Sequence, residues 1–151
     1  MYSKQEASLI RKEFWTSLGL YMRPLQGADG MPVNWLNYKT GIRHFYFRMD
    51  ANNKTASIAI ELRQPDAETR EHYFNRLQLL RSMLVEQAGE EWSWELNSLD
   101  EDGKPISRIG IEITGVNIFN KADWPAIISF LKPRMLALDN FWGQAKEMVE
   151  V

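Results

Sequence analysis

The chain has 151 residues, 44% of them hydrophobic and 25% charged, with a net charge of −2 and no cysteine. That length suits one domain over residues 1–151 with a single core, because a chain of about 150 residues buries roughly 68–70% of its unfolded surface. The missing cysteines exclude disulfides, thiolate nucleophiles and thiolate metal sites, and the slight negative charge supplies no broad positive field for nucleic acid or an anionic membrane.

The start of the chain has no apolar segment behind a basic stretch, and no run reaches the length of a membrane span, so a soluble cytoplasmic protein is expected. Ser3 with Glu6 three residues on is a capping box, in which serine accepts from an orphan amide and glutamate reaches back. Leu9, Ile10, Phe14, Leu18 and Tyr21 then follow at three- and four-residue steps, predicting an amphipathic helix that ends near Met22, before Pro24. From Arg23 to Ile42 no period holds, and Gly27, Gly30, Pro32 and Gly41 mark a long loop. Trp35, Leu36 and Tyr38 within it are expected to pin it to the core; the functional alternative is a loop that closes over a ligand.

Alternation takes over at Arg43–Asp50, turns through Ala51–Lys54 and resumes at Thr55–Arg63, predicting a hairpin with one apolar face. Pro65-Asp66 stops it and caps a helix carrying Tyr73, Phe74, Leu77, Leu80, Leu84 and Ala88, which Gly89 closes. A second hairpin follows, Glu91–Ser98 and Ile106–Gly115, around the turn Asp100–Pro105. Its apolar positions, Trp92, Trp94 and Leu96 against Ile109, Ile111 and Ile113, repeat the placement of Phe45, Phe47 and Met49 against Ile58, Ile60 and Leu62. The last helix begins near Asp123 with Pro125 in its first turn, and Pro133 predicts a kink or break at Lys132.

Apolar strand faces must be covered, which predicts an α+β fold: a two-layer sandwich of order αββαββα, with a four-stranded, mainly antiparallel sheet and three helices on one face. Strands 2 and 3 should run in the same direction, joined by a returning helix; as neighbours they would make a mixed sheet with a right-handed crossover. The strand order stays open.

Few motifs carry chemistry. No glycine run lies between a strand and a helix to cradle phosphate, and His44 and His72 have no ligand-spaced partner, so neither a metal nor a cofactor is expected. Asp50 with Glu61-Leu62-Arg63 has the residue types of a nuclease metal site. Yet the two carboxylates lie at opposite ends of their strands, roughly 20 Å apart at about 3.3 Å per residue, too far to share an ion. What remains is the polar side of the sheet: His44, Tyr46 and Arg48; Ser57, Glu61 and Arg63; Ser93, Glu95 and Asn97; Arg108, Glu112 and Thr114. One reading is a solvated face stitched by cross-strand ion pairs. The other is a binding surface in which Tyr46, Arg48, Glu61, Arg63, Glu95, Arg108 and Glu112 meet a partner, with the Trp35 loop alongside.

Phe14-Trp15, Asn34-Trp35-Leu36 before Gly41, Glu61-Leu62-Arg63, Asn75, Leu77 and Glu86 ahead of Gly89, Trp92-Ser93-Trp94, Ser107-Arg108-Ile109, Trp124 and Phe141 together resemble an uncharacterised bacterial family, domain of unknown function 4268. The likeness covers nearly the whole chain and rests mostly on aromatic packing positions. In that family the domain occurs alone or behind a nuclease-like domain, so the resemblance implies a link to DNA metabolism or defence against foreign DNA. It brings no catalytic residues.

Two functional expectations follow. One is a non-catalytic interaction module that binds a protein or nucleic-acid partner through the open sheet face. The alternative is a hydrolase or nuclease-associated enzyme using Glu61, Glu95, Glu112 and the neighbouring arginines. Homodimerisation through an edge strand is compatible with either.

Overall fold

The computed structural model describes residues 2–151. Helix α1 (Lys4–Met22) starts where Ser3 Oγ accepts the Glu6 amide at 3.1 Å. A hairpin of β1 (Phe45–Ala51) and β2 (Thr55–Leu62) follows, then α2 (Ala67–Leu79) and α3 (Arg81–Ala88), a second hairpin of β3 (Ser93–Leu99) and β4 (Pro105–Thr114), and α4 (Trp124–Glu150). The sheet order is β1-β2-β4-β3 and every pair is antiparallel. Strands β2 and β3 run the same way, as expected, but β4 lies between them, so the sheet is not mixed.

One side of the sheet forms the core. Phe45, Phe47, Ile58, Ile60, Leu62 and Ile109 are buried there beneath Phe130, Leu138, Phe141 and Trp142 of α4. Aromatic rings join the layers: Trp142 lies 4.8 Å from Phe45 and 5.6 Å from Phe47, within the range of favourable ring pairs. Among the described residues no helix covers the outer side, so most of its polar residues meet solvent.

Several sequence expectations need correction. The single helix predicted after Asp66 is two, because at Leu80 the backbone leaves the helical region (φ −106°, ψ 14°) and its amide bonds Leu77 C=O at 2.9 Å, a tighter closure. The α-helices among the described residues therefore number four. Conversely, α4 runs unbroken through Pro133; Phe130 and Leu131 before it and Met135 and Leu138 after it are all buried, so packing on both sides outweighs the lost amide bond. In α1 the buried stripe is Phe14, Leu18 and Met22, while Leu9 and Tyr21 are exposed. Leu96 is also exposed: the register shifts between Glu95 and Ser98, with Asn97 at φ 55°. This bulge turns Asn97 away from the outer face, and its Oδ1 accepts from the buried Arg70 of α2 at 3.4 Å.

Candidate functional site

Strand residues alternate between faces, so register alone assembles the outer surface. Tyr46, Glu61, Arg108 and Glu95 form one row across the four strands, and Arg48, Ala59, Gly110 and Ser93 the next. Asp50, Ser57 and Glu112 form a third over β1, β2 and β4. Beyond Arg48 the middle row is a trough of small residues, Ala59, Gly110 and Ser93. A Cβ on Gly110 would come within 2.7 Å of Arg108 Nη1 and 2.8 Å of Ala59 Cβ, so the Arg108 guanidinium lies across the glycine.

Glu61 sits at the centre and is 7% exposed, an unusual degree of burial for a carboxylate on an open sheet face. Three arginines compensate it. Arg63 Nε donates to Oε1 at 2.8 Å, Arg48 Nε lies 3.2 Å from the same oxygen, and Arg108 Nε is 3.9 Å from Oε2. Arg63 extends the network, since its Nη1 lies 2.8 Å from Asp100 Oδ2. Burial by itself would lower the Arg63 pKa, but the hydrogen bonds and charges of Glu61 and Asp100 outweigh it and raise the value. The guanidinium thus stays charged, clamped between two carboxylates.

In the sequence, Asp100 reads only as part of a turn. Its Oδ1 accepts the amides of Asp102 at 2.9 Å and Lys104 at 2.8 Å, and its Oδ2 takes Arg63. The tip of the β3–β4 hairpin is thereby tied to the end of β2, forming one wall of a cleft of about 510 Å³ over the outer face. An Asp followed three residues later by Gly is a recognisable turn signal. Only the register of β2 against β4 shows that Arg63 lies within its reach.

The Lys104 amide, burial and the Arg63 guanidinium all act on the Asp100 carboxyl, and the net effect is a pKa below the usual value of 3.8. A lowered carboxylate pKa stabilises the fold above the unfolded-state pKa, and the contribution disappears as pH falls through the folded-state value. Asp100→Asn should therefore be less stable than wild type at neutral pH, and the gap should narrow as pH falls through the lowered folded-state pKa of Asp100 and its carboxyl takes up a proton. Urea unfolding of the two proteins across pH measures it; a gap independent of pH would remove the charge from the explanation.

Of the sequence-predicted residues, Tyr46, Arg48, Glu61, Arg63, Glu95, Arg108 and Glu112 occupy this one face. Trp35 does not. It is 3% exposed in the core, and its Nε1 donates to Leu25 C=O at 3.2 Å, so it secures the long loop rather than meeting a ligand. Asp50 lines the same cleft as Glu61, but Asp50 stands opposite Ser57, four residues along β2 from Glu61, or roughly 13 Å at about 3.3 Å per residue. The two carboxylates do not converge. Among the described residues, no three His, Asp or Glu side chains gather closely enough to hold a metal ion.

A second polar cluster, unforeseen in the sequence, fastens the 23–42 segment to α4. Asp139, 6% exposed, accepts the Tyr38 hydroxyl on Oδ1 and the Ala28 amide on Oδ2 at 2.7 Å, while Trp142 Nε1 donates to Thr40 C=O at 2.8 Å. Burial, then the hydrogen bond and charge of Asp139, push the Tyr38 pKa well above its ordinary value, so Tyr38 acts here as a donor. The long loop is pinned, as its aromatics suggested.

Fold and face together define an α+β domain with a helix-covered core and an open, charged antiparallel sheet face. The chain belongs to the family described as Domain of unknown function (DUF4268), whose model matches residues 10–146. No curated protein and no solved structure matches it. No helix among the described residues is long and apolar enough to cross a membrane.

Proposed function

We propose that this domain is a non-catalytic interaction module and that its outer sheet face docks a basic segment of a protein partner. One observation carries the reading: the cleft is lined by Arg48, Arg63 and Arg108 but by seven carboxylates, and the arginines are already engaged by Glu61 and Asp100. Asp50, Glu95, Glu112, Glu101 and Asp102 have no cationic side chain within 4.0 Å among the described residues. A field of that sign repels phosphates and attracts lysine and arginine, so a protein partner is favoured over nucleic acid. Hydrolysis on the same face has less support, because Glu61, the most buried carboxylate there, has both oxygens facing guanidinium groups rather than open space.

Fluorescence anisotropy with three labelled probes tests the proposal: a Lys/Arg-rich peptide, a Glu-rich peptide of equal length and a DNA duplex. The basic peptide is expected to bind, to weaken with added salt, and to lose about tenfold in affinity, or about 1.4 kcal/mol, on Glu95→Lys/Glu112→Lys. Binding of DNA by the wild type, or peptide binding indifferent to the charge reversal, would overturn it.

A further inference from the structure

Strand β1 is bonded to β2 on one side and, among the described residues, to no strand on the other. The bonds from Arg63 N–H to His44 C=O at 2.8 Å and from Asn52 N–H to Thr55 C=O at 2.9 Å show that even-numbered β1 residues face β2. In antiparallel pairing the odd-numbered ones then direct N–H and C=O to the free edge. Phe45 is satisfied there, its amide bonding Ile42 C=O at 3.3 Å and its carbonyl accepting from Thr40 Oγ1 at 2.8 Å. Phe47 and Met49 have no such partner among the described residues. Beside them runs a groove of about 380 Å³ walled by Trp15, Leu36 and Tyr38.

We propose that this edge pairs antiparallel with the same edge of a second copy, about a two-fold axis at Met49, to form a continuous eight-stranded sheet. Charge selects both the occupant and the register. An axis at Met49 sets Arg48 opposite Asp50 of the second copy, twice by symmetry, and Phe47 opposite Ala51. An axis at Arg48 would oppose two like charges, which destabilises a strand pair. An axis at Phe47 would oppose Met49 to Phe45, whose main-chain groups are already used. In the single chain Asp50 Oδ1 accepts its own Ala51 amide at 2.8 Å. In the dimer that carboxylate turns to the terminal guanidinium nitrogens of Arg48 of the second copy, whose Nε stays with its own Glu61, and the released amide bonds the Phe47 carbonyl across the axis. An exposed edge strand carries unsatisfied donors and acceptors that such pairing removes.

Sedimentation velocity over a dilution series, with Arg48→Asp and Asp50→Arg as variants, tests this. The wild type should reach twice the chain mass of 17.6 kDa. Each variant alone places like charges in both cross-strand pairs and should stay at the chain mass, whereas an equimolar mixture restores two opposite-charge pairs and should recover the dimer. Hydrogen exchange on the wild type checks the same point without any substitution: the Phe47 and Met49 amides should become protected as concentration rises. A wild type at chain mass throughout, variants that still dimerise, a mixture of folded variants that does not pair, or exchange independent of concentration overturns the proposal, including the case in which the edge serves a foreign strand.

Discussion

Glu61→Ala is expected to lower the free energy of unfolding by about 2–3 kcal/mol, with the urea midpoint falling and the slope unchanged. A surface ion pair would predict much less, about 0–1 kcal/mol. The larger figure follows from geometry. Glu61 is 7% exposed, and its removal leaves Arg63 and Arg108, whose side chains are 27% and 25% exposed, crowded together without their shared anion. Breaking one partner of a buried charged network costs more than the network contributed, because the remaining charges stay partly desolvated. The full range of about 3–5 kcal/mol for buried pairs is discounted here, since solvent still reaches the guanidinium groups. Arg48→Ala should cost under about 1 kcal/mol, since half of that side chain is already in water. A loss for Glu61→Ala no greater than for Arg48→Ala would mean that the face is an ordinary solvated one.

Asp139→Ala should cost about 2–4 kcal/mol and loosen the 23–42 segment selectively. The substitution removes the acceptor for both the Tyr38 hydroxyl and the Ala28 amide, leaving two polar groups in poorly hydrated surroundings. An unsatisfied buried donor costs about 1–3 kcal/mol, so two donors set the scale. Limited proteolysis should show new cleavage between Arg23 and Ile42 while α4 and the sheet remain resistant. Tyr38→Phe, which removes one donor and keeps the aromatic ring 4.9 Å from Phe47, should cost less than half as much. Unchanged proteolysis of Asp139→Ala would show that Trp35 and Trp142 hold the loop without the clasp.

Much of the architecture was readable from local pattern. The Ser3 cap, the two alternating hairpins, the Asp66 cap and the Gly89 stop all lie where short-range chemistry puts them. The outer-face residues were readable for the same reason, because a strand's two-residue period needs no knowledge of its neighbours. The misses are places where a distant contact overrode a local signal. Leu80 ends one helix and begins another as α2 packs on β3 and β4 and α3 on α4. Pro133 predicts a kink or break at Lys132, and of the two the break does not occur, since buried side chains on both sides keep α4 continuous. Leu96 alternates correctly with its neighbours, but the bulge at Asn97 takes it out of the core.

The candidate site divides the same way. Apart from Asn97 at the β3 bulge, which residues face outward on each strand follows from alternation, and so does the mixed-charge character of the surface. That Glu61 is ringed by Arg48, Arg63 and Arg108, and that Asp100 completes the network, depends on β4 lying beside β2 in register, a pairing across more than forty residues of chain. By itself, then, the sequence determined the element types, the two faces of each strand and the absence of cysteine chemistry, because these depend on neighbours a few residues apart. Only the tertiary structure decided the strand order, the burial of Glu61 and Asp139, the excess of unpaired carboxylates over free arginines, and the open main-chain groups of β1. Each of those depends on which distant segments share a surface, and local periodicity carries no record of that.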